Sequence, residues 1–274
     1  MNQDQDQGVW IFIVIISFLF LIAFVYAFNF LEYLFAKYFY KPFYVHFYPF
    51  PKKLNDSHKK LISDNYSFYR KLSEKRKKYF EHRVAVFIEK YDFKGNAGLV
   101  ITDEMKVLIA STSVKLTFGM RSFIYTVFDK IILYPDIYYS EMNDVYHKGE
   151  FNPRYKALVF SWKHFKEGID VSNDNLNLGL HEFSHTLHFQ CLKNSSVSND
   201  IYIENYQKLV SDINNSSYKD EIRNSEYFRE YAFTNELEFM AVILENFFET
   251  PEKFKKEFPE LFLNVKRMIN YKES

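Results

Sequence analysis

The stretch "LGLHEFSHTLHFQ", residues 178–190, sets His181, Glu182 and His185 in an H-E-x-x-H pattern and adds His188 three residues later. On a helix, residues four apart share a face about 6 Å apart, so the imidazoles of His181 and His185 can converge on one metal ion. Glu182, next to the first histidine, is angled toward a water on that metal and can take its proton. That is the chemistry of a zinc hydrolase with one zinc per chain. Two histidines and a glutamate on an apolar helix are costly to bury unless they are paired or metal-bound, which favours the metal reading. Asp174 or Asn177 is placed to cap the start of this helix.

His188 lies seven residues from His181, about 10 Å along the helix axis, too far for one zinc to take 181, 185 and 188 together. It is expected to pack beside the site instead. The longer H-E-x-x-H-x-x-G-x-x-H arrangement is absent, since His188 stands where it needs Gly and Cys191 where it needs His. The third ligand is then a carboxylate from a later helix. Glu204, eighteen residues after His185, has the spacing, but "SNDIYIENYQK" reads as an exposed helix start. The other candidates lie in the apolar "EYAFTNELEFMAVILENFFETPEKF", where Glu238 and Glu245 share a face and Glu236 points elsewhere. A carboxylate on the apolar face of a buried helix wants a cation.

These residues need a scaffold, and 274 residues suffice for one sizeable domain with an appendage. Lys plus Arg and Asp plus Glu each number 35, so no direct nucleic-acid binding is expected. Cys191 is the single cysteine, which excludes an intrachain disulfide and a thiolate cage. With 7 Gly and 7 Pro against 31 Phe and 22 Tyr, breakers are few and helices are favoured. Residues 56–91 read as amphipathic helix, and "ITDEMKVLIASTSVKLTF" as a helix capped by Thr102 and stopped at Gly119. "KIILYP" and "YKALVFSW" read as short strands, and the chain after Gly168 as mostly helical. "ALVFSW" is either an ordinary core strand or the sheet edge that meets an extended substrate. The fold class expected is α+β, a mostly helical zincin-like metallopeptidase domain with a small sheet, preceded by one N-terminal transmembrane helix.

Residues 9–28, "VWIFIVIISFLFLIAFVYAF", carry no charge and as a helix span the roughly 30 Å of a bilayer core. Asp4 and Asp6 before them, and no A-x-A site after, favour an anchor over a cleaved signal peptide. Lys37, Lys41, Lys52 and Lys53 follow the span and no Lys or Arg precedes it, so the positive-inside rule puts the bulk of the chain in the cytoplasm. The expected organisation is a tail at 1–8, the span at 9–28, an aromatic and basic juxtamembrane linker at 29–53 and a zinc peptidase domain at 54–274, held at the inner (cytoplasmic) membrane. The linker suits either the headgroup layer or packing on the domain, and His46 within it has no evident partner.

"FKGNAGLVITDEMKVLIASTSVKL", "IILYPDIYY", "LVFSW", "LHEFSHTL" and "YAFTNELEFMAVILENFFETPEKFKKEFPEL" occur in this order. Together they resemble the Mlc titration factor A family of zinc-dependent peptidases, over roughly residues 55–270. The catalytic site of that family resembles that of anthrax lethal factor. The resemblance implies Glu238 as third zinc ligand beside His181 and His185, and Tyr231 as donor to the oxyanion formed when water attacks the peptide carbonyl. It leaves Glu182 as the general base, and gives Glu245 the lesser role of orienting a zinc-bound histidine. Peptide or protein is the implied substrate, and the pattern serves an aminopeptidase and internal cleavage equally. The family also raises a rival reading, a regulatory protein that sequesters a transcriptional repressor. An outward-facing envelope protease is the alternative if the charge rule fails. Where the family has Asp three residues after the second histidine, this chain has His188, and soluble relatives lack the membrane span.

Overall fold

The computed structural model describes residues 3–140 and 144–272, so the ends of the expected tail and domain, residues 1–2 and 273–274, lie outside the described residues. A long helix α1 (Gln3–Phe39) leads into α2 (Asp56–Asn65), α3 (Ser67–Arg70), α4 (Glu74–Lys90), β1 (Asp92–Gly95) and α5 (Asp103–Thr117). The strands β2 (Lys130–Tyr134), β3 (Tyr138–Ser140), β4 (Val145–His147), β5 (Gly149–Asn152) and β6 (Ala157–Ser161) follow. Then come α6 (Trp162–Asp170), α7 (Leu178–Lys193), α8 (Val197–Asn214), α9 (Ser216–Asn224), a 3₁₀ turn (Glu230–Phe233), α10 (Glu236–Glu249), α11 (Pro251–Glu257) and α12 (Pro259–Met268). The class is the expected one, mostly helix with a small sheet.

The sheet runs β1-β2-β6-β5, with β1, β2 and β6 parallel and β5 antiparallel to β6. All five residues of β6 are buried, which settles "ALVFSW" as a core strand. The edge nearest the histidine helix is instead β5, paired to β6 from Gly149↔Phe160 to Asn152↔Ala157. Strands β3 and β4 form a separate antiparallel pair. Short strands with little alternation, such as Asp92–Gly95 and Gly149–Asn152, carry no period-2 signal and are invisible to a pattern reading.

Residues 56–91 do not form the one continuous helix expected of them. Asn55 caps α2, the backbone turns extended at Tyr66, and Ser73 opens α4 in extended conformation. Tyr66 leaves the helix because its ring is buried and its hydroxyl donates to the Leu108 carbonyl of α5 at 2.7 Å, so a tertiary bond overrides local periodicity. Thr102 caps α5 as expected, accepting from Met105 N at 3.3 Å.

Helix α7 runs through the core. Its sides pack on α5, α6, α8 and α10, and Leu180, Phe183 and Leu187 are essentially inaccessible. Gly179 permits the tightest of these approaches, since a Cβ there would lie 2.6 Å from the Phe165 ring.

Candidate metal centre

Asn177 is the residue that starts α7. Its side chain accepts from Leu180 N at 2.9 Å and donates to Glu249 Oε1 at 3.0 Å and to the Gly168 carbonyl, tying the cap to α10 and α6. From that fixed start, one turn of helix presents His181 and His185 on the side facing α10. Their Nε2 atoms lie 3.1 Å apart. Glu238, in the first turn of α10, brings Oε2 to 3.0 Å from His181 Nε2 and 3.5 Å from His185 Nε2. Asn235 fixes that turn by accepting from the N–H groups of Leu237 and Glu238.

Among the described residues, His181, His185 and Glu238 are the group of side chains able to share a metal, one ligand atom from each and all within 4.8 Å of one another. The geometry fits zinc. Bonds of about 2.0–2.1 Å at tetrahedral angles separate ligand atoms by about 3.3 Å, and the three observed spacings straddle that value. Glu238 Oε2 is buried and faces the two imidazole nitrogens, so as a carboxylate it needs a proton on one of them or a cation between them.

The donor set is also prepared electrically. His181 Nδ1 lies 2.6 Å from Glu245 Oε1, so its proton sits there and Nε2 keeps its lone pair free toward the shared point. Glu245 is buried at 1% exposure and is held by Arg229, whose two terminal nitrogens donate to its two oxygens at 2.8 and 2.9 Å. Burial opposes a charge on His181, but Glu238 and Glu245 outweigh it and push its pKa up to about 10 when no metal competes. Burial likewise raises the Glu238 carboxyl, yet the two imidazoles hold it well below the usual carboxylate range. The centre demands positive charge.

Glu182 points from α7 toward β5. Its carboxylate accepts from the Phe151 backbone N–H, and burial raises its pKa against the pull of His181 and His185. Gly149 makes room for it, because a Cβ there would stand 2.8 Å from Glu182 Cγ. The cleft over this point holds about 540 Å³ and is lined by His147, Gly149, His181, Glu182, Arg229 and Tyr231, among others. Tyr231, in the 3₁₀ turn, is 49% exposed, with its ring 5.9 Å from that of His181. Its hydroxyl is pushed up to about 12 by burial and by the charge of Glu238 beside it.

The residues expected to act together therefore stand together, and the others do not. Glu204 is exposed on α8, away from the cleft. Glu236 accepts from Asn214 Nδ2 at 3.0 Å, outside the centre. His188 packs against Tyr206 and Tyr202, ring centroids 4.2 and 6.0 Å away, and burial holds its imidazole down to about 4. His46 stacks on Tyr79 at 4.8 Å. Sequence reasoning missed Arg229 and the Gly149–Phe151 edge. A buried Glu245 needing a cation was the available signal for Arg229, two residues ahead of Tyr231 in "FREYAF".

His181, His185 and Glu238 form a cluster that could hold a metal ion, and His181 and Glu182 line the cleft beside it. The chain belongs to the glucose-regulated metallo-peptidase M90 family, which it matches over residues 48–269. It is also similar to the uncharacterised protein slr2042 of Synechocystis sp., 26% identical over 224 residues that span 74% of this chain and 79% of that protein.

Proposed function

We propose that this metallopeptidase is a zinc enzyme that hydrolyses peptide bonds with His181, His185 and Glu238 as metal ligands, Glu182 as general base and Tyr231 as oxyanion donor. When bound, zinc supplies Lewis-acid charge and draws the pKa of a water toward about 7. Glu182 takes the proton of the attacking water and returns it to the leaving amine, a role its raised pKa suits. Tyr231, half exposed on the cleft wall, donates its hydroxyl to the oxygen that gains charge. Glu245 and Arg229 keep the His181 ring in its tautomer and orientation. An extended peptide runs along β5, the last strand in the sheet order and the one next to the base.

The observation that carries this reading is the convergence of two Nε2 atoms and one carboxylate oxygen at 3.0–3.5 Å with Glu182 alongside. Purified protein is expected to hold about one zinc per chain. Glu182→Gln should keep that zinc and lose about 10²–10⁴-fold in peptide cleavage. Undiminished cleavage by Glu182→Gln removes the mechanism. Peptides with blocked and free N-termini separate internal cleavage from aminopeptidase action.

The helix Gln7–Phe39 is long and apolar enough to cross a membrane. We read residues 9–28 as the span, 29–53 as the juxtamembrane segment and 54–274 as the peptidase domain on the cytoplasmic side, on the strength of the lysines that follow the span. Protease added to right-side-out cells should leave residues beyond Pro51 intact, and digestion there reverses the orientation.

A further inference from the structure

Helix α1 does not end where the span read at residues 9–28 ends. It continues eleven residues past Phe28 to Phe39, and Glu32 and Ala36 on this extension are buried against the catalytic domain. Arg121, in the loop after α5, donates through both terminal nitrogens to the two oxygens of Glu32, one bond being 3.0 Å. The same guanidinium donates to the Tyr44 carbonyl at 3.2 and 3.0 Å and lies 3.8 Å over the Tyr44 ring. Phe43 N donates to Glu32 at 3.2 Å, and Arg121 N donates to Ser198 Oγ at 2.9 Å, joining the loop to α8.

After α1 the chain reverses at Tyr40 (φ 52°) and runs back along the helix. The Phe43 ring packs at 4.6 Å from Phe35 and 5.7 Å from Phe28, the last residue of the span read at 9–28. Glu32 lies only four residues, about 6 Å of helix rise, beyond Phe28. If α1 crosses the bilayer with residues 9–28 in its core, Glu32, Arg121, Phe43 and Tyr44 all fall in the headgroup layer. The segment is pinned there from the inside: Tyr48 accepts from Arg83 Nε at 2.6 Å, and His46 stacks on Tyr79. Phe47, between them and 6.3 Å from the Tyr44 ring, stays 73% exposed.

We infer that the Phe43–Phe47 stretch lies in the interfacial layer of the bilayer that α1 enters, and that the Glu32–Arg121 pair clasps the catalytic domain against that surface in one orientation. The partner is the lipid headgroup layer itself, reached because the chain folds back toward it. An aromatic side chain held at that level exchanges water for the headgroup region, where aromatic residues concentrate. The inference rests on α1 being a membrane span.

The test uses the full chain in phosphatidylcholine nanodiscs, with bimane attached at Phe47→Cys or Val14→Cys; Cys191 is buried and stays unlabelled. Val14→Cys should be quenched by a nitroxide deep in the acyl chains, and Phe47→Cys by a nitroxide on the headgroup more than by a soluble one. Arg121→Ala should leave the first signal and lose the second. Absence of deep quenching at Val14→Cys overturns the span and the docking with it. Deep quenching there with Phe47→Cys reached only by the soluble nitroxide overturns the docking and leaves the anchor standing. Headgroup quenching of Phe47→Cys unchanged by both Arg121→Ala and Glu32→Gln overturns the clasp.

Discussion

Two arginine–glutamate pairs, each made with both arginine nitrogens, hold the two working junctions of this protein, and they differ in what else touches the carboxylate. Glu245, under Arg229, also meets His181 Nδ1 and is almost inaccessible. Glu32, under Arg121, also accepts from Phe43 N and is buried nearly as deeply, the two arginines keeping 27% and 29% of their side-chain exposure. The first pair therefore bears on a proposed metal ligand through a shared acid, whereas the second bears, on our inference, on where the domain sits. The same fork geometry serves chemistry in one place and architecture in the other.

Removing groups at the centre should give the largest effects. Glu238→Ala takes away one of the three proposed ligands, so metal content measured after dialysis should fall to background, while Glu245→Ala should weaken binding without abolishing it. Tyr231→Phe should retain the metal and lose about 10²–10³-fold in kcat, the cost of one oxyanion donor. A Tyr231→Phe enzyme with a raised KM and normal kcat would reassign the residue to substrate binding.

Arg229→Ala comes next. It leaves Glu245 buried without its cation, which costs about 3–5 kcal/mol of stability, and it frees the His181 ring, which should lower metal affinity about 10–100-fold. Arg229→Lys keeps the charge but not the fork and should recover part of the affinity. Arg121→Ala likewise leaves a buried glutamate without its cation and should cost a comparable amount of stability, about 3–5 kcal/mol, but leave zinc content and cleavage of small peptides unchanged. Equal loss of metal in both variants would erase the distinction between the pairs.

How much of this was legible in the sequence differs by residue. His181, Glu182 and His185 declare themselves because one helical turn puts them in register, a local property. Glu238 lies fifty-three residues past His185, and periodicity alone could not choose it over Glu245; both face the same histidine, one on each ring nitrogen. Arg229 and Phe151 act through contacts that exist only after packing, so no spacing encodes them. Glu32 is a charge in an apolar helix, a visible anomaly that lay inside the segment read as linker. The split of residues 56–91 at Tyr66 needed the Leu108 carbonyl, forty-two residues away.

A half-buried acid extends the comparison to a glutamate that faces a lysine instead. Glu249, one turn beyond Glu245 on α10, receives Asn177 Nδ2 and has Lys115, on α5, as a nearby cation. Burial pushes Glu249 up to about 7, with Asp174 and Glu245 adding to the shift and Asn177 and Lys115 opposing it. Burial pushes Lys115 down to about 8. A carboxyl whose pKa is higher folded than unfolded binds its proton more tightly in the native state, so its contribution to stability is lost as pH rises from about 4.5 toward 7. A lysine whose pKa is lower folded gives up its proton earlier, so stability is regained as pH climbs from about 8 toward 10.5. The midpoint of urea unfolding should therefore dip between these limbs. Glu249→Gln keeps an oxygen for Asn177 and removes the titration, so the falling limb should flatten. The rising limb should begin at lower pH, because Lys115 loses the one negative charge that favours its proton. An unchanged falling limb in Glu249→Gln would show that another group titrates there, and that Glu249 finds its cation as effectively as Glu245 does.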